Sequence, residues 1–325
     1  MHGTNSIYKL TALWAFAECS LGGLMHLFKV PFTGFFIGGF AIIIIGLIAF
    51  LSNQSFKIII QSTLLVILVK AAVSPQSPPA AYFAVFFQGL FGAIVFKGFG
   101  FNKISAIVFG SIAMIESSIQ MIISKTIFYG MSFWNAIDVF FINVIKEFGL
   151  KSGVSFSFWL IVFYLLLYAI WGVVLGYWLS NLPSLLAEKW SEIKYKVISV
   201  NLFELPKNKH KYKKIKWLGF GFTLSFIIIV MLLNGEHKWD ALFVILRTVS
   251  VIALLYFIVM PFIQFVIKKY SVKKQKQINE IVNALPKIRQ TAELAYALAS
   301  ENKNGISRYK EFVWILITLT LYDEA

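Results

Sequence analysis

The sequence predicts an all-α, polytopic integral membrane helix bundle, with about eight transmembrane helices and both ends on the cytoplasmic side. Three observations carry this. The chain is 58% hydrophobic and only 14% charged, against about a quarter charged in soluble domains. Apolar runs near the bilayer-spanning length of about 20 residues recur along it. Its lysines gather in the connections that an N-in, C-in arrangement puts on one side.

The runs place spans at 10–28, 34–51, 57–73, 80–96, 104–124, 156–180, 217–234 and 241–267. The N-terminal segment lacks the basic start and small-residue cleavage site of a signal peptide, so it is read as the first span. The segment 134–149, "WNAIDVFFINVIKEFG", reads as an amphipathic helix at the interface or over a cavity. The segment 312–322, "FVWILITLTLY", is too short to cross and reads as a packed or interfacial helix. Four regions follow: a six-span membrane domain (1–180), a basic cytoplasmic linker (181–216), two further spans (217–267) and an amphipathic cytoplasmic region (268–325).

Orientation comes from charge. The stretches 188–216 and 268–310 are rich in lysine and are placed inside, with Lys9, Lys57, Lys97 and Lys103. The opposite side receives the uncharged "SPQSPP" (74–79) and the near-neutral "GEHKWD" (235–240). The net charge of +15 is therefore a topology signal, not a nucleic-acid footprint. A multi-pass chain of this kind belongs in the cell inner (cytoplasmic) membrane, with the lipid bilayer as a constant partner.

Polar residues inside the spans are the candidate site. "ECSLGGLMHLFKVPFTG" puts Glu18, His26 and Lys29 along the first span and its exit. Lys70, Gln88, Glu116 and Gln120 fall in the outer half or middle of later spans. An intramembrane carboxylate is a functional-site hypothesis by default. The candidate substrate-binding set is Glu18, His26, Lys70, Gln88, Glu116 and Gln120, lining one outward-facing cavity. A purely structural pair, such as Glu18 with Lys70, satisfies the same physics.

Catalytic and cofactor motifs are missing. There is no "GxxxxGK[ST]", so ATP hydrolysis by this chain is not expected. There is no "HExxH", the four histidines are scattered, and Cys19 is the one cysteine. "GFGFNK" from Gly98 does not have the spacing of a phosphate loop. The expectation is a non-enzyme without metal or cofactor.

The tail "INEIVNALPKIRQTAELAYALASENKNG" (278–305) carries an apolar stripe that includes Ile278, Ile281, Leu285 and Ile288 opposite a charged face. It reads as a helix pair broken near Pro286. Ile278, Ile281, Leu285 and Ile288 are the expected partner-binding residues, docking 275–310 on a soluble partner; the alternative is packing on the chain's own membrane domain or on lipid.

The first six spans resemble the substrate-binding subunit of energy-coupling-factor vitamin transporters. "KVPFTGFFIGG" stands where that family has a lid loop and a glycine-rich second helix. "LPKIRQTAELAYALAS" resembles the coupling region of the same systems' membrane coupling subunit, although "ALASEN" departs from the Ala-Arg-Gly that ends it there. The resemblance implies capture of a small solute, a vitamin or cofactor precursor, from outside. It also implies energy from separate ABC-class ATPase subunits and contact with another membrane subunit. The alternatives are a membrane scaffold recruiting cytoplasmic partners, or a secondary transporter with Glu18 or Glu116 as proton carrier.

Overall fold

The computed structural model describes residues 2–21, 33–74, 77–148, 155–200, 246, 249–251, 253–302 and 305–322. Among these, every regular element is helical. In chain order they are α1 (His2–Phe16), a π-turn (Ala17–Leu21), α2 (Thr33–Leu51), α3 (Phe56–Val73), α4 (Pro79–Phe99) and α5 (Lys103–Tyr129). There follow α6 (Met131–Glu147), α7 (Phe156–Val200), a second π-turn (Leu255–Val259), α8 (Met260–Asn302) and α9 (Ile306–Tyr322).

Five described helices are long and apolar enough to cross a membrane: α2, α3, α4, α5 and the Phe156–Glu192 part of α7. They coincide with the second to sixth expected spans. The first expected span begins in α1 and the π-turn and runs on outside the described residues. The expected span 217–234 lies wholly outside them, and 241–267 partly so.

The connections show why chain reversals fall where they do. Gly100 ends α4 with φ of 71°, a left-handed conformation that glycine adopts without cost. Asn102 then caps α5: its side chain accepts from the Ser105 backbone N–H at 2.9 Å, and its own N–H donates to Ser105 Oγ at 3.1 Å. "GFGFNK" is thus a helix stop followed by a helix start. Asp138 of α6 caps α7 from outside, accepting from the Ser157 N–H at 2.6 Å and the Ser157 hydroxyl at 2.8 Å. A carboxylate suits the positive end of a helix.

Helix α2 sits at the centre. Residues 41–45 and 47–49 are buried on every side, as expected of a helix apolar all round. It packs against α1, α3, α4, α5 and α7. The tightest crossing is between α5 and α7. A Cβ added at Gly110, Gly172 or Gly176 would strike backbone of the facing helix. Glycines let the two backbones approach directly, the small-residue packing of membrane helices.

Two helices run longer than their spans. Helix α7 continues through Pro183 to Val200, so residues 181–200, expected as linker, are helical. Helix α8 runs unbroken through Pro286, so the expected helix pair is a single helix. Proline removes one N–H from the ladder and crowds the carbonyl one turn back, and packing on neighbouring helices offsets that cost. The stripe of α8 faces the chain itself. Ile278, Ile281 and Ile288 are buried, and the half-buried Leu285 packs beside them. The side expected to meet a soluble partner is covered by α1, α3 and α9.

Helix α9 is a packed helix, with residues 315–320 buried. It lies along the extension of α7, where Trp178 meets Trp314 edge-on and Trp190 stacks on Tyr322. Lys189 pairs with Glu311 at 2.6 Å. At α1, Ser6 Oγ donates to the Leu321 carbonyl at 3.3 Å.

Candidate functional site

The first helix changes winding at its most polar point. After Phe16 it widens into the π-turn Ala17–Leu21, which contains Glu18. Single π-turns cost hydrogen-bond geometry and concentrate at functional sites. The Glu18 carboxylate accepts a hydrogen bond from Lys70 Nζ at 2.6 Å. Glu18 is 6% exposed and Lys70 4%, so both charges are out of water.

More polar contacts bind the same three elements. Ser74, one turn beyond Lys70, donates its hydroxyl to the Cys19 carbonyl at 3.3 Å. Tyr82, in the first turn of α4, donates to the Ser74 carbonyl at 3.3 Å. Its ring centroid is 6.0 Å from Lys70 Nζ. The π-turn, the end of α3 and the start of α4 therefore meet around one neutralised ion pair. Removing either partner would leave the other charge buried alone, which is far costlier than keeping both.

A second polar seam lies along the glycine face of α2. Gln88 is 2% exposed, and its amide nitrogen lies 3.1 Å from where a Gly38 Cβ would sit. Ser117 Oγ lies 2.6 Å from the corresponding position at Gly34, and the Tyr168 hydroxyl 3.8 Å from it. Tyr164 donates to Tyr168 at 3.0 Å. Phe35 stacks on Trp171 at 4.6 Å, and the Trp171 indole N–H donates to the Phe35 carbonyl at 3.3 Å. Without side chains at Gly34 and Gly38, polar groups from α4, α5 and α7 converge on α2.

The expected residues thus separate. Glu18 and Lys70 are joined, and Gln88 belongs to the second seam. Gln120 donates to the Ala80 carbonyl at 2.9 Å, tying α5 to the start of α4. Glu116, one turn before Gln120, is half-buried, and its Oε2 is buried with no hydrogen-bond partner among the described residues. No hydrogen bond or ion pair among the described residues links Glu116 to Glu18 or Lys70. His26 lies outside the described residues.

Ser117, Tyr164, Tyr168 and Trp171 escaped the sequence reading. Their signals were present but weak: Ser117 adjoins Glu116, and Tyr164 and Tyr168 lie one helical turn apart. In a chain with 33 phenylalanines and 13 tyrosines, aromatic spacing does not single out a site. No group of three or more His, Cys, Asp or Glu residues suited to a metal ion occurs among the described residues.

No family model, curated protein or solved structure matches this chain.

Proposed function

We propose that this chain is a membrane transport component that captures a small solute, a vitamin or cofactor precursor, from the outer side. The buried Glu18–Lys70 pair, held in a π-turn between three helices, carries this reading. A bundle needing only cohesion gains little from a buried ion pair, which apolar residues of similar volume would replace at no loss. A solute with its own charge or strong hydrogen-bonding groups can exchange with one partner of the pair. Gln88 and Ser117 supply further donors and acceptors in the separate seam along α2.

Without a phosphate loop, work against a gradient takes energy from elsewhere. Separate ABC-class ATPase subunits in the cytoplasm fit that role, with the cytoplasmic membrane as location. They would meet the exposed side of α8, around Glu280, Arg289 and Glu293, because the apolar stripe is occupied internally.

The test is equilibrium binding of labelled vitamins and cofactor precursors to the purified chain in lipid discs. One panel member should bind, and Glu18→Gln should abolish that binding. Failure across the panel would favour the scaffold reading, in which the basic cytoplasmic parts recruit partners.

The orphan Oε2 of Glu116 favours a second reading, a secondary transporter with Glu116 as proton carrier. That reading requires solute uptake into vesicles driven by a proton gradient without ATP, and its loss in Glu116→Gln.

A further inference from the structure

A cleft of about 530 Å³ opens between α3, α4 and the first half of α8. That is within the ~300–1,000 Å³ range of small-molecule sites, yet its shape is unlike a compact pocket. Along α8 its lining reaches from Phe262 to Lys274 and Gln277. Twelve residues of helix from Phe262 to Lys274 cover about 18 Å at 1.5 Å each. One leaflet of the hydrocarbon core is about 15 Å, half of its ~30 Å thickness.

The walls divide by chemistry. Leu64, Leu68, Phe83, Phe86 and Phe262 are apolar, and several are exposed: Leu64 42%, Phe83 56% and Phe262 66%. Among the described residues, Gln61, Lys274 and Gln277 are the polar lining residues besides the Tyr82 hydroxyl, and none that lines the cleft is acidic. Lys274 belongs to a run with Lys268, Lys269, Lys273 and Lys276. Clustered lysines of this kind attract anionic lipid headgroups.

We infer that this cleft is a binding site for one anionic phospholipid. An acyl chain lies along Leu64, Phe83, Phe86 and Phe262, and the phosphate meets Lys274, with Gln61 and Gln277 as hydrogen-bonding neighbours. Both α3 and α4 are candidate membrane spans, so their exposed apolar walls face acyl chains in any case. The lysine at one end selects the headgroup. Basic pockets between membrane helices are known seats for anionic headgroups.

Native mass spectrometry of the full chain, loaded with phosphatidylglycerol or phosphatidylcholine, tests this. One phosphatidylglycerol per chain should remain bound where phosphatidylcholine is lost. Lys274→Gln should weaken its retention about fivefold, the weight of one lysine near an anionic surface. Leu64→Trp, which fills the cleft without touching the lysine, should displace the lipid, with a melting curve showing that the variant is folded. Equal retention of both lipids, unchanged retention in either folded variant, or occupation of the cleft by a second copy of the chain would overturn the assignment.

Discussion

Lys70 Nζ lies 2.6 Å from the Glu18 carboxylate, and both residues are over nine-tenths buried. The pair spans 52 positions of sequence and joins the π-turn after α1 to the end of α3. Truncating one partner strands a charge away from water. Glu18→Leu or Lys70→Met alone should cost about 3–5 kcal/mol, whereas the double variant should recover most of that loss. Unfolding of the four proteins in mixed micelles measures the cycle. Equal and additive losses would show that the two charges do not share one environment.

The α5–α7 crossing makes a sharper demand. Gly172 approaches the Gly110 carbonyl and the Ser111 backbone so closely that no side chain fits. Gly172→Leu must push the helices apart, at about 3 kcal/mol or more, since overpacking is absorbed poorly. Gly98 in α4 has nothing within 4 Å of its Cβ position. Gly98→Ala should be neutral or stabilising by about 0.5–1 kcal/mol, the helix penalty of glycine. Thermal unfolding of the two variants should move in opposite directions.

Asp138 predicts an acid-sensitive joint between α6 and α7. The Ser157 backbone N–H, with the Ser157 and Ser155 hydroxyls, holds its carboxyl below the ordinary range. A lowered folded-state pKa gives stability that is present above the unfolded value of about 3.9 and is lost as pH falls through the folded value. Wild type should therefore lose α6–α7 protection from hydrogen exchange below about pH 4. Asp138→Asn should lack that step and show weaker protection at neutral pH.

The buried stripe of α8 separates internal packing from external docking. Ile281 is 2% exposed. Ile281→Asp places a charge among apolar side chains and should destabilise the whole chain by about 4 kcal/mol. Glu280→Arg, on the exposed side, should leave stability within about 0.5 kcal/mol. If ATPase subunits co-purify with wild type, Glu280→Arg paired with Arg289→Glu should reduce their recovery without loss of fold. Unaltered stability in Ile281→Asp would show that the stripe is not internal.

What the sequence determined by itself follows from local physics. A bilayer demands a minimum run of apolar residues, so the starts of the five apolar helices among α2 to α7 could be read within a few residues, whereas the end of α7 lies well beyond the expected 180. The stop at Gly100 and the cap at Asn102 are equally local. The polar residues Glu18, Lys70 and Gln88 could be singled out because charge and amide groups are rare in such runs. Tertiary structure alone decided which of them meet. The sequence offered Glu18 with Lys70 only as one structural alternative to a shared cavity, and the π-turn that holds Glu18 has no sequence signature. Pro286 read as a break and 181–216 as a linker, yet α8 passes through Pro286 and α7 through Pro183, because contacts with neighbouring helices outweigh the local cost of proline. The stripe of α8 is amphipathic in any environment. Only the packing of α1, α3 and α9 against it settled that its apolar side faces inward.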